Sequence, residues 1–388
     1  MVQSMPDASP TKWHLAHTTW FFETFLLCEH LPGYKPFHPE FRLLFNSYYK
    51  QLGKHPARDT RGTFSRPSLE KVWEYRRRVD EGMNKLLASE ASPEIAQLVQ
   101  LGLNHEQQHQ ELIVTDIKHA LWVQPLRPSY RSRGQVPTSA NYGRHGARKW
   151  KEFAGGVVDI GHAGDGFAFD NESPRHPVVL GPFKLASRLT TNAEYLEFMK
   201  DGGYQRPELW LSDGWDTVCR QGWDAPLYWE RDGQDWHVFT TSGMHPVDGG
   251  DPVCHVSYYE ADAFARWAGA RLPLEAEWES VAESRPIEGH LAESLDFEPR
   301  ASEVEDGIGD VFGSVWEWTA SPYVAYPGFN PAAGVVGEYN GKFMCNQFVL
   351  RGGSCATPQS HLRASYRNFF PPHARWQFMG IRLAADVS

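Results

Sequence analysis

The stretch between Asp116 and Glu152 contains no acidic residue. Helical periodicity of apolar residues ends within this stretch, and short segments broken by Gly, Pro, Asn and Asp follow it. The 388 residues correspond to about two to three domains. The sequence therefore predicts a helical domain over 1–123, a linker over 124–150 and a loop-rich α+β domain over 151–388.

Charge and cysteine content exclude several classes of protein. The chain has 38 Lys and Arg against 48 Asp and Glu, so it lacks the positive field that a nucleic-acid partner requires. Its 5 cysteines are never spaced as C-x-x-C, which fits neither a disulfide framework nor a zinc finger and indicates a reducing compartment. No apolar run approaches the roughly 18 residues of a membrane-spanning helix, and Met1 is not followed by the pattern of a signal peptide. We expect a cytoplasmic protein without a membrane partner, and its oligomeric state stays open.

Three segments of the first domain have the periodicity of helices. The first runs over 9–31, with Ser9 as its expected N-cap and one aromatic face, and the second begins at Ser68. The third runs from 93 to about 122. Two further helices are predicted in the second domain, at 191–201 and at 257–268.

Histidines on the first and third helices suggest a metal site. His105 and His109 are four residues apart, the spacing at which two imidazoles on one helix can reach the same ion. Two imidazoles on an apolar face are costly unless their ring nitrogens are satisfied. His17 is a third candidate from the first helix, since bundles build metal sites from facing helices. Residue chemistry alone leaves both iron and zinc open.

The segment around these histidines also matches the zinc-protease signature H-E-x-x-H, with Glu106 as the general base. A metzincin needs glycine and histidine three and six residues beyond the second ligand, where Leu112 and Thr115 stand. Other proteases of this type take a carboxylate ligand from a downstream helix, and the acid-free stretch provides none there. The sequence therefore disfavours a protease.

Two groups of motifs carry a family resemblance. SPTKWHLAH at 9–17 and HEQQHQE at 105–111 resemble the DinB-like four-helix bundle of the ergothioneine-biosynthetic sulfoxide synthases. RLPLEAEWE at 271–279, GSVWEWT at 313–319 and RGGS at 351–354 resemble the formylglycine-generating-enzyme type domain, whose fold is C-type-lectin-like. The implied fold class is α + (α+β), with the bundle first. Such proteins usually have a further helix before the first motif, so we expect this chain to begin late.

The resemblance implies a metal and a reaction. A mononuclear non-haem Fe(II) is held by His17, His105 and His109, with open positions for O₂ and the substrates. The implied reaction joins the sulfur of cysteine to C2 of the imidazole of hercynine, which is Nα-trimethylhistidine, and oxidises the sulfur to a sulfoxide. The adjacent Tyr48 and Tyr49 resemble the paired tyrosines of the branch of the family that uses free cysteine rather than γ-glutamylcysteine.

The resemblance also implies roles for residues around the sulfur donor. Tyr48 is the implied proton donor during O₂ reduction, a role that a phenol can fill, and Tyr49 is its supporting neighbour. Arg58 and Arg61 resemble an arginine pair that binds the donor's carboxylate, to which the guanidinium fork is suited. Arg375 is an equally good candidate to bind that carboxylate.

Residues for the other substrate come from both domains. Gln108 lies between two of the histidines and is implied to contact hercynine. Asn368, Phe369 and Phe370 resemble a loop that closes the pocket, in which Asn368 contacts the polar end of hercynine. The two phenyl rings can attract its trimethylammonium group by cation–π interaction, although a phenylalanine pair beside prolines also fits ordinary packing.

Several alternatives stay open. A selenoneine synthase that uses a selenosugar would keep the same metal ligands, and an ovothiol-type synthase would act on unmethylated histidine. A non-catalytic lectin-like binding protein, with the bundle as a metal-stabilised support, is the alternative from a different class. Formylglycine generation is disfavoured because Cys355 has no second cysteine close to it in the sequence.

Overall fold

The computed structural model describes residues 2–88, 92–132, 148–302, 307–332 and 337–387. The chain divides into two compact units. The first unit comprises 1–124 together with the short segments 165–170 and 330–342, and the second comprises 125–164, 171–329 and 343–388. Most of the predicted linker, residues 133–147, lies outside the described residues. In the part that is described, Arg131 and Arg148 form ion pairs with Asp296 and Glu194 of the second unit.

Helices dominate the first unit. Helix α1 spans Thr11–Phe22 and continues through a π-helical turn, Glu23–Leu27, into a final turn, Cys28–His30. Helix α2 spans Leu69–Ala88 and helix α3 spans Pro93–Val123. The three predicted helices are thereby confirmed. The connection between α1 and α2 contains a short α-helix and two 3₁₀ turns, at Phe41–Leu44, Lys50–Leu52 and Arg58–Thr63.

The start of α1 differs from the sequence prediction. Pro10 occupies the N-cap position, and no side chain caps the helix. The backbone N–H of Ser9 donates to Oδ2 of Asp116 at 2.7 Å, and Oγ of Ser9 accepts from Arg61 at 3.0 Å. The prediction of Ser9 as a helix cap is therefore wrong, because this buried residue bonds to α3 and to the connecting loop instead.

The aromatic face of α1 packs into the core of the first unit. Trp20 and Phe21 are almost fully buried, and α2 contributes a stripe at helical spacing. The buried apolar members of that stripe are Val72, Tyr75, Val79, Met83 and Leu86. His17 lies on the same face of α1 as Trp13 and Trp20, and it is buried in the interior together with His105 and His109 of α3.

The second unit is built of small sheets and short helices. Its strands are β1 Trp150–Phe153, β2 Gly156–Ile160, β3 His176–Leu180, β4 Phe183–Ala186, β5 Trp229–Asp232, β6 Asp235–Thr240, β7 Gly243–Pro246, β8 Trp316–Pro322, β9 Phe348–Arg351, β10 Asn368–Phe370, β11 Met379–Gly380 and β12 Ala384–Asp386. They form sheets in the orders β1-β4-β12, β2-β3, β5-β6-β7 and β10-β9-β8-β11. Only β11 and β8 pair in parallel; the other pairs described are antiparallel.

Four helices of eight residues or more lie in the described part of this unit: α4 Asn192–Lys200, α5 Ser212–Gln221, α6 Tyr258–Trp267 and α7 Glu275–Ala282. Helices α4 and α6 confirm the prediction, and each begins with a capping box, from Thr191 and from Ser257. Helices α5 and α7 were not predicted. In α7, seven of the eight residues are buried and three of these are glutamates, so the sequence does not separate into the apolar and polar faces that reveal a helix.

Buried ion pairs join α7 to the central sheet. Arg351 on β9 contacts Glu275 at 3.0 Å and Glu279 at 2.8 Å, and its side chain is fully buried. Arg382 contacts Glu317 on β8 at 2.8 Å. Glu275, Glu279, Glu317 and Arg351 belong to the motifs of the second half, whereas Arg382 lies outside them. The motifs thus contribute buried ion pairs to the core of this unit. None of the described helices combines the length and apolarity that a membrane crossing requires.

Candidate metal centre

Three histidines meet in the interior of the first unit. His17 comes from α1, and His105 and His109 lie one turn apart on α3, with one ring nitrogen from each residue within 4.8 Å of the others. Each side chain is at least nine-tenths buried. Within the described ranges, no other three His, Cys, Asp or Glu side chains form such a group. The structure thus brings together the three predicted metal ligands.

The electrostatic setting of these histidines suits a metal ion. Burial lowers the pKa of all three imidazoles, to about 4 for His105, and the neighbouring histidines lower the pKa of His17 and His109 further. The rings are therefore neutral near pH 7, which is the form that binds a divalent cation. Three neutral nitrogen donors in a buried cluster fit a metal of the iron or zinc type.

Helix α1 holds His17 in one orientation. Trp13 and Trp20, four residues before it and three after it, stack on the imidazole with centroid distances of 4.5 and 5.4 Å. Nδ1 of His17 lies 2.6 Å from the carbonyl oxygen of Phe45. A carbonyl oxygen only accepts, so Nδ1 carries the proton and Nε2 keeps the lone pair for a metal.

The tyrosine pair follows Phe45 directly in the chain. Asn46 forms a tight turn, in which its Oδ1 accepts from the N–H of Tyr49 at 3.1 Å and its Nδ2 donates to the carbonyl of Tyr49 at 2.8 Å. Tyr49 is buried, whereas Tyr48 is half-buried. The loop that binds His17 through a backbone carbonyl therefore also places both tyrosines.

A cavity of about 550 Å³ adjoins the histidine cluster within the first unit. His105, Gln108 and Tyr49 line it, together with residues of the 165–170 segment and Asn340. This volume falls within the range of small-molecule sites. The cavity is therefore lined by one candidate metal ligand, one residue predicted to contact hercynine and the predicted neighbour of the proton donor.

Cationic side chains surround Tyr48. Burial raises the pKa of the phenol, but Arg58, Arg61, a hydrogen bond from Ser47 and Lys342 together bring the pKa below its usual value. Nζ of Lys342 donates to the backbone carbonyl of Tyr48 and lies 5.4 Å from the centroid of its ring. Sequence reasoning did not single out Lys342, which is distant in the chain and belongs to no motif.

Arg61 is buried, and Asp116 is the acidic residue that acts on its charge, raising its pKa against the effect of burial. It donates to Oγ of Ser9 at 3.0 Å and of Ser47 at 2.7 Å, and its guanidinium lies 3.5 Å from the ring centroid of Trp13. No carboxylate of the described residues lies within 4.0 Å of its nitrogens, and burial lowers the pKa of Arg61 to about 10. Burying a cation in this way favours an anionic ligand.

The other arginine candidate is differently placed. Arg375 belongs to the second unit, where it pairs with the buried carboxylate of Glu260 at 2.9 Å and lies 4.1 Å from the ring centroid of Trp223. Its charge is therefore already compensated by a protein carboxylate. This leaves Arg58 and Arg61 as the better candidates for a substrate carboxylate.

The predicted loop for hercynine forms strand β10 of the second unit. Oδ1 of Asn368 accepts from the N–H of Phe369 at 2.9 Å. The ring of Phe369 stacks on Tyr323 with a centroid distance of 4.0 Å, and Phe370 meets Trp376 edge-on at 5.7 Å. All three residues of the strand stay partly exposed, so their outer surfaces can contact a ligand.

Glu106, the acidic residue of the H-E-x-x-H match, forms an ion pair within the bundle. Both oxygens of Glu106 accept from Nη2 of Arg76 on α2, at 2.8 and 3.1 Å. A carboxylate paired in this way is not available as the general base that a zinc protease needs. The pairing agrees with the sequence argument against a protease.

We therefore expect Glu106→Gln to reduce turnover only slightly, because it removes an ion pair on the side of the bundle and no ligand or base. Steady-state rates of the Fe(II)-loaded variant check this expectation, with thermal unfolding as the measure of the lost pairing with Arg76. A loss of turnover as complete as that of a histidine variant would contradict the assignment and favour the protease alternative.

Comparisons with known proteins indicate the family to which the chain belongs. Residues 151–291 and 294–387 match the sulfatase-modifying factor enzyme 1-like domain. The hercynine oxygenase of Mycolicibacterium thermoresistibile is 34% identical over 76% of this chain and 70% of that protein. The hercynine oxygenase of Mycolicibacterium smegmatis is 33% identical over 74% of this chain and 71% of that protein.

A third relative aligns over a shorter region. The hercynine oxygenase of Mycobacterium tuberculosis is 36% identical over 60% of this chain, and the alignment covers 59% of that protein. The matches to the two Mycolicibacterium proteins extend over most of both chains, and the domain match accounts for nearly all of the second half. The chain therefore belongs to the hercynine oxygenase family, with a sulfatase-modifying factor enzyme 1-like domain as its second half.

Proposed function

We propose that this protein is an O₂-dependent, non-haem iron(II) sulfoxide synthase that joins cysteine to hercynine in ergothioneine biosynthesis. The buried cluster of His17, His105 and His109 is the observation that carries the proposal. The names of the relatives support the same reaction. In fold, the proposal corresponds to a DinB-like bundle that holds the metal and a C-type-lectin-like domain that contributes substrate contacts.

The proposed reaction balances with O₂ as the sole oxidant. The S–H bond of cysteine and the C2–H bond of the imidazole break, and a C–S bond and an S–O bond form. The second oxygen atom leaves as water with both hydrogens, so the two substrates supply the four electrons that reduce O₂. His17, His105 and His109 would hold Fe(II), which would supply the activation of O₂ and open coordination positions for the two substrates.

The ligand set matches this chemistry. Three neutral imidazoles leave the charge of the dication uncompensated, so a thiolate ligand is attracted, and they leave coordination positions open. A carboxylate in place of one imidazole would reduce that attraction. The choice of iron over zinc rests on the family, since both metals accept these donors.

Arg58 and Arg61 are proposed to bind the carboxylate of cysteine. Arg61 is a buried cation that no described carboxylate approaches within 4.0 Å, and Nε of Arg58 is buried without a partner. The same charges lower the pKa of Tyr48. A carboxylate held there would therefore lie close to the phenol that we propose as the proton donor.

Hercynine is proposed to occupy the remaining space beside the cluster. Gln108 lines the cavity next to His105 and can hydrogen-bond to the imidazole or the carboxylate of the substrate. Asn368, Phe369 and Phe370 are proposed to meet its trimethylated end, where each ring can contribute about 0.5–2 kcal/mol through cation–π attraction.

The double variant Phe369→Ala/Phe370→Ala tests the ammonium contact. If the rings bind the trimethylammonium group, the apparent KM for hercynine rises much more than the KM for cysteine, because only hercynine carries a quaternary ammonium. Steady-state kinetics with each substrate varied in turn measure both constants. Equal effects on the two constants would assign the rings to packing against Tyr323 and Trp376.

Product identification tests the function as a whole. The purified chain, loaded anaerobically with Fe(II), is given O₂ with hercynine or unmethylated histidine, each paired with cysteine, γ-glutamylcysteine or a selenosugar, and the products are identified by mass. We expect the cysteine sulfoxide adduct of hercynine. A product only with the selenosugar indicates a selenoneine synthase, a product only with unmethylated histidine indicates the ovothiol type, and no product with any pair indicates a binding protein.

A further inference from the structure

We infer that His14, held by Asp116, is a positioning residue that keeps the ring of His109 in the tautomer needed for metal binding. Neither residue belongs to the proposed ligand set. Nδ1 of His14 lies 2.7 Å from Nδ1 of His109, and Nε2 of His14 lies 3.1 Å from Oδ2 of Asp116. The three side chains thus form a chain of hydrogen bonds from a carboxylate to a candidate metal ligand.

The direction of these hydrogen bonds follows from the carboxylate. An ionised carboxylate only accepts, so Nε2 of His14 must carry a proton to donate to Asp116. In the neutral ring, Nδ1 of His14 is then an acceptor, and the proton in the contact between the two rings belongs to Nδ1 of His109. The lone pair of His109 is thereby placed on Nε2, which is the nitrogen left for the metal.

The opposite arrangement is unfavourable at this site. If His109 accepted from a neutral His14, the unprotonated Nε2 of His14 would face the oxygen of Asp116 at 3.1 Å with no proton between them. His109 would then carry its proton on Nε2 and could not offer that nitrogen to a metal. The carboxylate of Asp116 therefore selects the tautomer of His109, to which it is connected by two hydrogen bonds through His14.

Asp116 is itself firmly held. Its Oδ2 also accepts from the backbone N–H of Ser9 at 2.7 Å, and its side chain is 5% exposed. His14 is 2% exposed and lies edge-on to Trp13, which stacks on His17. Because Ser9, Trp13 and His14 are close in the chain, one segment supports two of the three proposed ligands.

This inference rests on the proposed metal site but can fail separately from it. His17 obtains its tautomer from a backbone carbonyl, whereas His109 depends on side chains that can be replaced. Ring partners of this kind typically change metal affinity by 10–100-fold when they are removed. A ring that merely fills space would have no such effect.

The first test measures the tautomer in the metal-free protein. The full chain is labelled with ¹⁵N-histidine, and long-range ¹⁵N–¹H spectra show which ring nitrogen of each neutral histidine carries the proton. The signals of His109 are identified by their loss in a His109→Gln variant. We expect the proton on Nδ1 of His109 and on Nε2 of His14. A His109 ring with its proton on Nε2 overturns the inference, whether or not any variant folds.

The second test measures metal affinity without turnover. Co(II) is titrated into the metal-free chain in competition with a chelator, for the parent, His14→Phe, Asp116→Ala and Asp116→Asn. We expect His14→Phe and Asp116→Ala to weaken binding by about 10–100-fold. Asp116→Asn should have a smaller effect, since its amide oxygen can still accept from Ser9 and His14 but carries no charge.

The matched control is His119→Phe. His119 is a buried histidine on the same helix as His109, and its Nδ1 lies 2.7 Å from Oγ of Ser4 rather than from a ligand. Its replacement should leave the affinity for Co(II) unchanged. A folded His14→Phe variant that binds Co(II) as tightly as the parent overturns the inference. A parent chain without affinity for Co(II) or Fe(II) contradicts the proposed function instead, and the tautomer measurement still decides the role of His14.

Discussion

Replacing His17, His105 or His109 with alanine is expected to abolish tight Fe(II) binding and with it sulfoxide formation. Each variant leaves two imidazoles in a buried cluster that has no carboxylate among its ligating candidates. Two neutral donors hold a divalent ion far less tightly than three, because one protein ligand is lost and water has to take its coordination position. Fe(II) binding to the metal-free chain and product formation under O₂ are the two measurements.

Controls separate a lost ligand from a damaged fold. Each ring is buried, so its removal leaves a cavity that can lower the stability of the bundle, and the fold of every variant has to be measured. Helical circular dichroism of each variant should match the parent. His119→Ala, on the same helix as two of the ligands, should bind Fe(II) normally. Full activity in any one ligand variant would remove that residue from the proposed set.

Replacing Tyr48 with phenylalanine is expected to redirect the reaction. The thiolate can be oxidised alone by O₂ to a sulfinic acid, or its sulfur can bond to the imidazole carbon and become a sulfoxide. A proton delivered while O₂ is being reduced favours C–S bond formation, because protonation of the reduced oxygen disfavours its transfer to the thiolate sulfur. We expect C–S bond formation to fall by about 10²–10⁴-fold, while O₂ consumption continues and cysteine sulfinic acid accumulates.

The electrostatics around Tyr48 give the prediction its physical basis. Arg58, Arg61, Ser47 and Lys342 lower the pKa of the phenol against the effect of burial, so its proton is more easily transferred than that of an ordinary tyrosine. Phenylalanine keeps the ring and its packing and removes only the hydroxyl group. A purely structural role therefore predicts little change in either product.

The ratio of sulfoxide to sulfinic acid tests the role of Tyr48 more directly than the rate of turnover does. Sulfoxide and sulfinic acid are quantified by mass in the same reaction, together with the O₂ consumed. Tyr49→Phe is the matched comparison, because it removes the hydroxyl of the neighbouring ring and leaves the Asn46 turn, which uses only the backbone of Tyr49. If Tyr48→Phe forms sulfoxide at the parental rate with no sulfinic acid, Tyr48 is not the proton donor, and Tyr49 becomes the next candidate.

Local sequence patterns predicted the helices that carry the site. Helix α3 matches its predicted span to within a residue, and the capping box of Ser257 and Glu260 begins α6 as expected. Such features depend on interactions within one or two turns, which spacing and residue type determine. The short α7 was missed because almost all of it is buried, and periodicity then carries no signal.

Contacts between residues far apart in the chain could not be predicted from local sequence patterns. Ser9 has the sequence of a helix cap but bonds to Asp116, which lies 107 residues later. His14 stands three residues before a predicted ligand, yet its role depends on His109 and Asp116, which are 95 and 102 residues away. A pattern within one segment contains no information about which distant side chain will face it.

The sequence by itself determined that His105 and His109 point in one direction, because helical geometry places residues i and i+4 on one face. It also indicated the family through motifs that run through both halves. Only the tertiary structure decided that His17 meets that pair and that a carboxylate reaches His109 through His14. It also decided that Arg61 is buried with no described carboxylate within 4.0 Å of its nitrogens, whereas Arg375 forms an ion pair with Glu260. The reason is physical: the direction of a side chain is set by the local backbone, whereas its protonation and its readiness for a ligand are set by neighbours that only the packed chain brings close.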